Sequence, residues 1–207
     1  MTREPFSPLK FSRNAGLIVL LIVGGVFAVR DWIIPNIWPK NFGVVVEGAL
    51  YRSGELTPTA TRKVINERGI RTIVDFGAHE LGSYEETRAQ AIADAMGVRR
   101  VRLALFGDAQ GDPNRYTEAL KIMTDPGAQP VLVHCAAGAQ RTGCAVALYR
   151  QIVEGVSLED AYDEANTYRL DPSDNPHLRR MLDAWSDDVE RAYREGGTIT
   201  YDGPTRD

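Results

Sequence analysis

The stretch "VLVHCAAGAQRTG", Val131 to Gly143, decides how the rest of the chain is read. An apolar, β-branched run ends at His134 and Cys135; Ala136, Ala137, Gly138, Ala139 and Gln140 follow, and then comes Arg141. The run reads as a buried strand and the residues from Arg141 onward as a helix. A loop between the two lies at a helix N-terminus, where unpaired backbone N–H groups make an anion site. A thiol in such a loop, beside an arginine, is favoured as the thiolate. Cys135 is therefore the candidate nucleophile. Arg141 adds a planar fork that takes two oxygens of one phosphate, which a lysine cannot do. The small side chains at 136–139 let the loop amides close around the ligand, so Ala136, Ala137, Gly138, Ala139, Gln140 and Arg141 form the candidate phosphate-binding loop.

The surrounding sequence supplies a matching scaffold. "VVVEGALYRSG", Val44 to Gly54, reads as a hairpin turning at Glu47-Gly48, and "IRTIVDF", "VRRVRLAL" and "VLVHC" read as strands. Thr57-Pro58 and Ser83 with Glu85 and Glu86 open helices that Gly69 and Gly97 close, and Asp112-Pro113 opens a third. After Arg141 the pattern predicts a helix to Gly155, one from the capping box at Ser157 and Asp160, and a last one from Pro176 to Glu195. Alternating strands and helices predict an α/β fold with a central, mostly parallel sheet of four to five strands flanked by helices. The expected organisation is a basic segment over 1–14, an apolar segment over 15–34, a linker over 35–43, the catalytic domain over 44–196 and a frayed tail over 197–207.

Composition narrows the function classes. The chain has 207 residues, 43% of them hydrophobic and 25% charged, as in an ordinary globular domain. A net charge of -4 with scattered Lys and Arg argues against a nucleic-acid partner. Cys135 and Cys144 cannot build a disulfide framework.

Arg3, Lys10 and Arg13 precede the uncharged run Ala15 to Val29, and Arg30, Asp31, Trp32 and Trp38 follow it. Extended to Ile34, with the tryptophans at the interface, the segment reads as a single transmembrane anchor; a cleaved signal peptide and a buried core helix are the alternatives. Either of the first two places the catalytic domain outside the cytoplasm, in the periplasm of a bacterium.

"HCAAGAQRTG" resembles the H-C-x5-R-[S/T] signature of the cysteine-dependent protein tyrosine phosphatases, and the short domain resembles their dual-specificity branch. "ALYRSGELTP" and "GIRTIVDF" are further landmarks of a similarity running from about Val46 to Leu182, closest in style to small exported bacterial members. The resemblance implies hydrolysis of phosphotyrosine, and of phosphoserine or phosphothreonine, in a phosphoprotein substrate through a phosphocysteine at Cys135. It implies phosphate binding by Arg141, a hydrogen bond from Thr142 to the cysteine sulfur, and orientation of the loop by His134. No metal or cofactor is required. Relatives that act on phosphoinositides or inositol polyphosphates tend to carry lysine or histidine inside the loop, and this loop has neither, so phosphotyrosine peptides are expected to be better substrates than inositol phosphates.

The resemblance implies a general acid on a loop some way before the cysteine, and here "LALFGDAQGDP" offers Asp108 and Asp112 directly after a strand. Asp112, before Pro113, is explained as a helix cap, so Asp108 is the candidate acid; Asp75 at a strand end ranks third. Cys144 reads as a packed residue, His79 and His177 as loop or helix-end residues, and Arg52 as a residue holding the sheet edge. Two rival functions share the loop: a rhodanese-like sulfurtransferase, and an inactive, membrane-tethered phosphate-binding module. Arg141-Thr142-Gly143 at the helix start argues against the first; Cys135, Arg141 and Asp108 together argue against the second.

Overall fold

The computed structural model describes residues 8–30, 34–37, 39–168 and 176–206. The chain divides into two units, Met1–Trp38 and Pro39–Asp207. In the first, helix α1 spans Pro8–Ala28 and a single turn, α2, spans Ile34–Ile37. Helix α1 begins in the basic segment rather than at Ala15. Its apolar part, Ala15 to Ala28, is fourteen residues, about 21 Å at 1.5 Å per residue, against a hydrocarbon core of about 30 Å. No helix among the described residues is long and apolar enough to cross a membrane, so the anchor expected over 15–34 finds no support in the structure. Trp32 and Trp38, expected at an interface, lie outside the described residues.

In the second unit five strands form one sheet: β1 Gly43–Val46, β2 Leu50–Ser53, β3 Thr72–Asp75, β4 Arg99–Arg102 and β5 Val131–His134. Their order is β1-β2-β5-β3-β4, with only β1 and β2 antiparallel. The hairpin between those two turns at Gly48, whose φ of 76° suits a glycine. The helices are α3 Pro58–Arg68, α4 Tyr84–Ala95, α5 Asn114–Thr124, α6 Gln140–Ile152, α7 Leu158–Asn166 and α8 His177–Glu195. Thr57, Ser83 and Ser157 cap α3, α4 and α7 by accepting from the backbone N–H of Ala60, Glu86 and Asp160.

The apolar run of β5 is continuous because both of its faces are covered. Val131 and Val133 join Leu50 and Val74 in a core built with α5, α6, α7 and α8, while Leu132 joins Tyr51 and Ile73 against α3 and α4. Each such side chain, fully buried, contributes about 1.5–3 kcal/mol. In register, Ser53 and Asp75 flank His134, so β2, β5 and β3 end together. Everything that follows His134 is thereby delivered to the carboxyl edge of the sheet, where α/β folds place their ligands.

Candidate active site

Cys135 follows the last residue of β5 and is 1% exposed, and α6 begins at Gln140. The loop between them is held from outside by a row of donors. Ala136 O accepts from Glu55 N–H at 3.1 Å and from Lys40 Nζ at 3.0 Å, Ala137 O from Asn41 Nδ2 at 2.8 Å, and Gly138 O from Arg52 Nη2 at 2.8 Å. In a trans peptide the C=O and the next N–H point opposite ways. Carbonyls turned outward therefore turn the N–H groups of Ala137, Gly138 and Ala139 inward. One of them is seen in that role: Gly138 N–H donates to Cys135 Sγ at 3.2 Å. Such a ring of amides is an anion cradle.

Close approach makes this clamp possible. Gly54 sits against the loop so tightly that a Cβ there would lie 2.7 Å from Ala137 O, and Gly138, at φ 75°, would place one 2.4 Å from Gly54 N.

Arg141 is 6% exposed and enters from the first turn of α6. Its Nη1 donates to Phe76 O at 2.7 Å and Gly77 O at 2.5 Å, and lies 3.5 Å from Leu105 O. That spends one side of the fork on the backbone after β3. Nε is buried without a partner among the described residues, so the Nε side remains for two oxygens of a ligand. Thr142 is fully buried, but its Oγ1 makes no hydrogen bond among the described residues; the bond recorded at the sulfur comes from Gly138. Gln140 contributes its backbone to the helix start.

His134 lies behind the nucleophile with Nε2 3.9 Å from Asp75 Oδ1. Burial pushes its pKa below the ordinary value, so the ring is neutral at pH 7. Asp75 is fully buried, with Oδ2 2.5 Å from Arg100 Nη2 and Oδ1 accepting from Ala78 N–H at 2.9 Å. Burial alone would raise its pKa, but neighbouring positive charge and these hydrogen bonds leave the carboxyl below its usual range. The positive charges that do so are those of His134, where the ring is protonated at acid pH, and of Arg100. A carboxylate locked in this way is a structural tie at the end of β3, not a proton donor. A cavity of about 50 Å³ between α3 and α4 reaches His134 from behind, lined by Ser53, Arg100, Ile73 and Leu132 and edged by the His79–Glu55 pair at 2.8 Å.

Asp108 and Asp112 have different surroundings. Asp112 Oδ1 accepts from the backbone N–H of Asn114 at 2.9 Å and from its side chain at 2.7 Å, at the start of α5. The helix cap itself falls one residue later, on Pro113. Asp108 is 33% exposed at its side chain; Oδ1 accepts from Gln110 N–H at 3.1 Å and Oδ2 lies 4.0 Å from His177 Nδ1. Its loop is drawn tight by Phe106 N–H to Gln110 O at 2.9 Å and by Ala109, buried at φ 74° with its carbonyl on Tyr116 Oη. The free side of Asp108 faces solvent in a loop that reaches Arg141 through Leu105 O.

Three features were not legible beforehand. Lys40 and Asn41, expected in a linker, hold the phosphate loop. Arg52, expected at the sheet edge, is fully buried behind it. The expected frayed tail is docked: Ile199 and Asn114 exchange two hydrogen bonds, Tyr201 meets Trp185 edge-on, and Arg206 reaches Leu105 O at 3.2 Å and pairs with Glu80. Cys144 is packed as expected, fully buried and with its thiol pushed up to about 12 by that burial. Among the described residues no cluster of His, Cys, Asp or Glu could hold a metal ion.

Comparison with known proteins agrees with this geometry. The family described as DSP-PTPase phosphatase fused to NAD+ kinase matches residues 40–180. Inositol diphosphatase DSP2 of Oryza sativa subsp. japonica is 31% identical over 153 residues, 69% of this chain and 70% of that protein. Inositol diphosphatase SIW14 of Saccharomyces cerevisiae is 32% identical over 155 residues, 72% of this chain and 52% of that protein. In three dimensions the core catalytic domain of the PP-IP phosphatase SIW14 superposes with a TM-score of 0.63 at 22% identity, over 76% of this chain and 93% of that one. P. aeruginosa TpbA superposes at 0.60 and 23% identity, over 74% and 91%. With the signature loop built as an anion cradle around Cys135 and a matched region that includes Asn41, Arg52 and Arg141, the chain belongs to the dual-specificity branch of the cysteine-dependent protein tyrosine phosphatases.

Proposed function

We propose that the protein hydrolyses phosphotyrosine in proteins through a phosphocysteine on Cys135. The observation that carries the chemistry is the inward-facing amide ring with Gly138 N–H on Cys135 Sγ and the Nε side of Arg141 unspent. The sulfur attacks phosphorus as the bond to the leaving oxygen breaks; Asp108 gives its proton to that oxygen. Asp108 then takes a proton from a water, whose oxygen attacks phosphorus and releases Cys135 and inorganic phosphate. Arg141 and the N–H groups of Ala137, Gly138 and Ala139 hold the equatorial oxygens through both steps. His134, neutral behind the loop, orients it, and Thr142 is the hydroxyl nearest in sequence to the leaving thiolate.

The substrate reading rests on charge. Ala136, Ala137, Ala139 and Gln140 offer no cation to a second phosphate. P. aeruginosa TpbA, which shares the fold, has been captured with phosphotyrosine. Two observations favour a second reading: relatives such as DSP2 and SIW14 are inositol diphosphatases, and the exposed ammonium of Lys40 sits 3.0 Å from Ala136 O. The experiment is a comparison of kcat/KM for a phosphotyrosine peptide and for a diphosphoinositol polyphosphate, in wild type and Lys40→Ala. A higher value for the peptide supports the first reading; a higher value for the polyphosphate that falls in Lys40→Ala replaces it with the second.

A further inference from the structure

Arg52, on β2, is the largest side chain in the interior with no exposure at all. Arginine is seldom buried without a carboxylate, because desolvating the charge costs several kcal/mol. No carboxylate among the described residues pairs with it. Its guanidinium instead lies face-on under the ring of Tyr168, 3.6 Å from the centroid, and gives Nη2 to Gly138 O at 2.8 Å. Nε and Nη1 have no partner among the described residues. Burial pushes its pKa down to about 10, with Tyr168, Glu164 and Cys135 pulling the other way, so the group stays charged at neutral pH.

Two consequences meet at one peptide. The bond from Arg52 fixes the carbonyl of Gly138 outward, which fixes the N–H of Ala139 inward. The charge behind that peptide is shielded from water by Tyr168, so it acts on the loop through a poorly screening medium. A buried cation that only filled space would gain nothing over an apolar isostere.

We propose that Arg52 is a positioning residue of the catalytic loop: it orients the Gly138-Ala139 peptide toward the bound phosphoryl group and sets a permanent positive field behind Cys135. Tyr168 is the cover that keeps water from that field. The proposal extends the phosphatase reading above, but its test needs no substrate, so the two can fail separately.

The test is alkylation of Cys135 in the full chain by iodoacetate, an anion, and by iodoacetamide, its neutral counterpart, followed at that residue by peptide mass spectrometry. The ratio of the two rates reads the field at the sulfur. Arg52→Met keeps the volume and removes the charge; the iodoacetate-to-iodoacetamide ratio should fall about tenfold or more, and vanadate should bind at least about tenfold more weakly, which corresponds to a loss of about 1.4 kcal/mol. Arg52→Lys keeps the charge and should hold the ratio near wild type. A merely structural role would speed both reagents together and leave the ratio unchanged. If Arg52→Met does not accumulate as folded protein, Tyr168→Leu admits water to the guanidinium and should lower the ratio in its place. An unchanged ratio in the folded variant overturns the proposal.

Discussion

The backbone N–H of Gly138 donates to the sulfur of Cys135 across 3.2 Å, and the same residue's carbonyl is held from outside by Arg52. The nucleophile is therefore built into the loop that binds the phosphate. Sulfur and phosphoryl oxygens share one set of donors, so chemistry at one is read at the other.

Cys135→Ser should abolish turnover and still bind vanadate, because the amides and Arg141 remain in place. Arg141→Lys should lose turnover too, since an ammonium cannot both hold Phe76 O and Gly77 O and present a fork to the ligand. Steady-state rates beside vanadate titration check both. Appreciable turnover in Cys135→Ser would remove the phosphocysteine from the mechanism.

Asp108 and Asp112 should separate by leaving group. Asp108→Asn should lower kcat about 10²-fold or more for phenyl phosphate, a usual general-acid contribution, and less for p-nitrophenyl phosphate. Asp112→Ala frees the Asn114 N–H and should cost about 0.5–2 kcal/mol of stability with no change in leaving-group dependence. Plots of kcat against leaving-group pKa, with a melting curve for each variant, decide it; a steeper slope in Asp112→Ala alone reverses the assignment.

Gly138→Ala should fail as a fold change in the loop rather than as a lost contact. The added Cβ meets Gly54 N at 2.4 Å and Ser53 C at 2.7 Å, both backbone atoms, from a residue at φ 75°. The left-handed conformation alone costs about 1–2 kcal/mol, so with the clash a fall in Tm of at least about 4 °C is expected. Vanadate binding should vanish with it. Wild-type affinity in this variant would show that the loop is not held against Gly54.

Asp75 makes stability depend on acid. Its folded pKa lies below the unfolded value of about 3.9, so the tie to Arg100 is fully present above that pH and is lost as pH falls through the folded value. Asp75→Asn should be less stable at pH 7 by about 3–5 kcal/mol, as for a broken buried pair. Urea midpoints from pH 7 to pH 3 should show that gap narrowing below about pH 4. A gap constant with pH would mean that the contact is held by something other than charge.

What the sequence determined was whatever a few neighbouring residues decide by themselves. The strand, loop and helix around Cys135 follow from a β-branched run, small residues and a helix start; the caps at Thr57, Ser83 and Ser157 and the turn at Gly48 follow from the same local chemistry. The local pattern placed Asp112 beside the start of α5, where it accepts from Asn114 N–H, although the cap itself falls on Pro113. Tertiary structure decided what meets across the fold. Ala136, Ala137 and Gly138 are clamped through their carbonyls, which every residue possesses, so no side chain in the loop announces that Lys40 and Asn41, 96 residues earlier, will hold it. Arg52 is of a type that favours the surface, and only the closing of β2 against β5 under Tyr168 buries it. The tail reads as frayed because its partners, Asn114, Trp185 and Leu105, come from three separate parts of the chain. Local propensity carries no record of a partner far along the sequence, and the packing of the sheet's carboxyl edge supplies it.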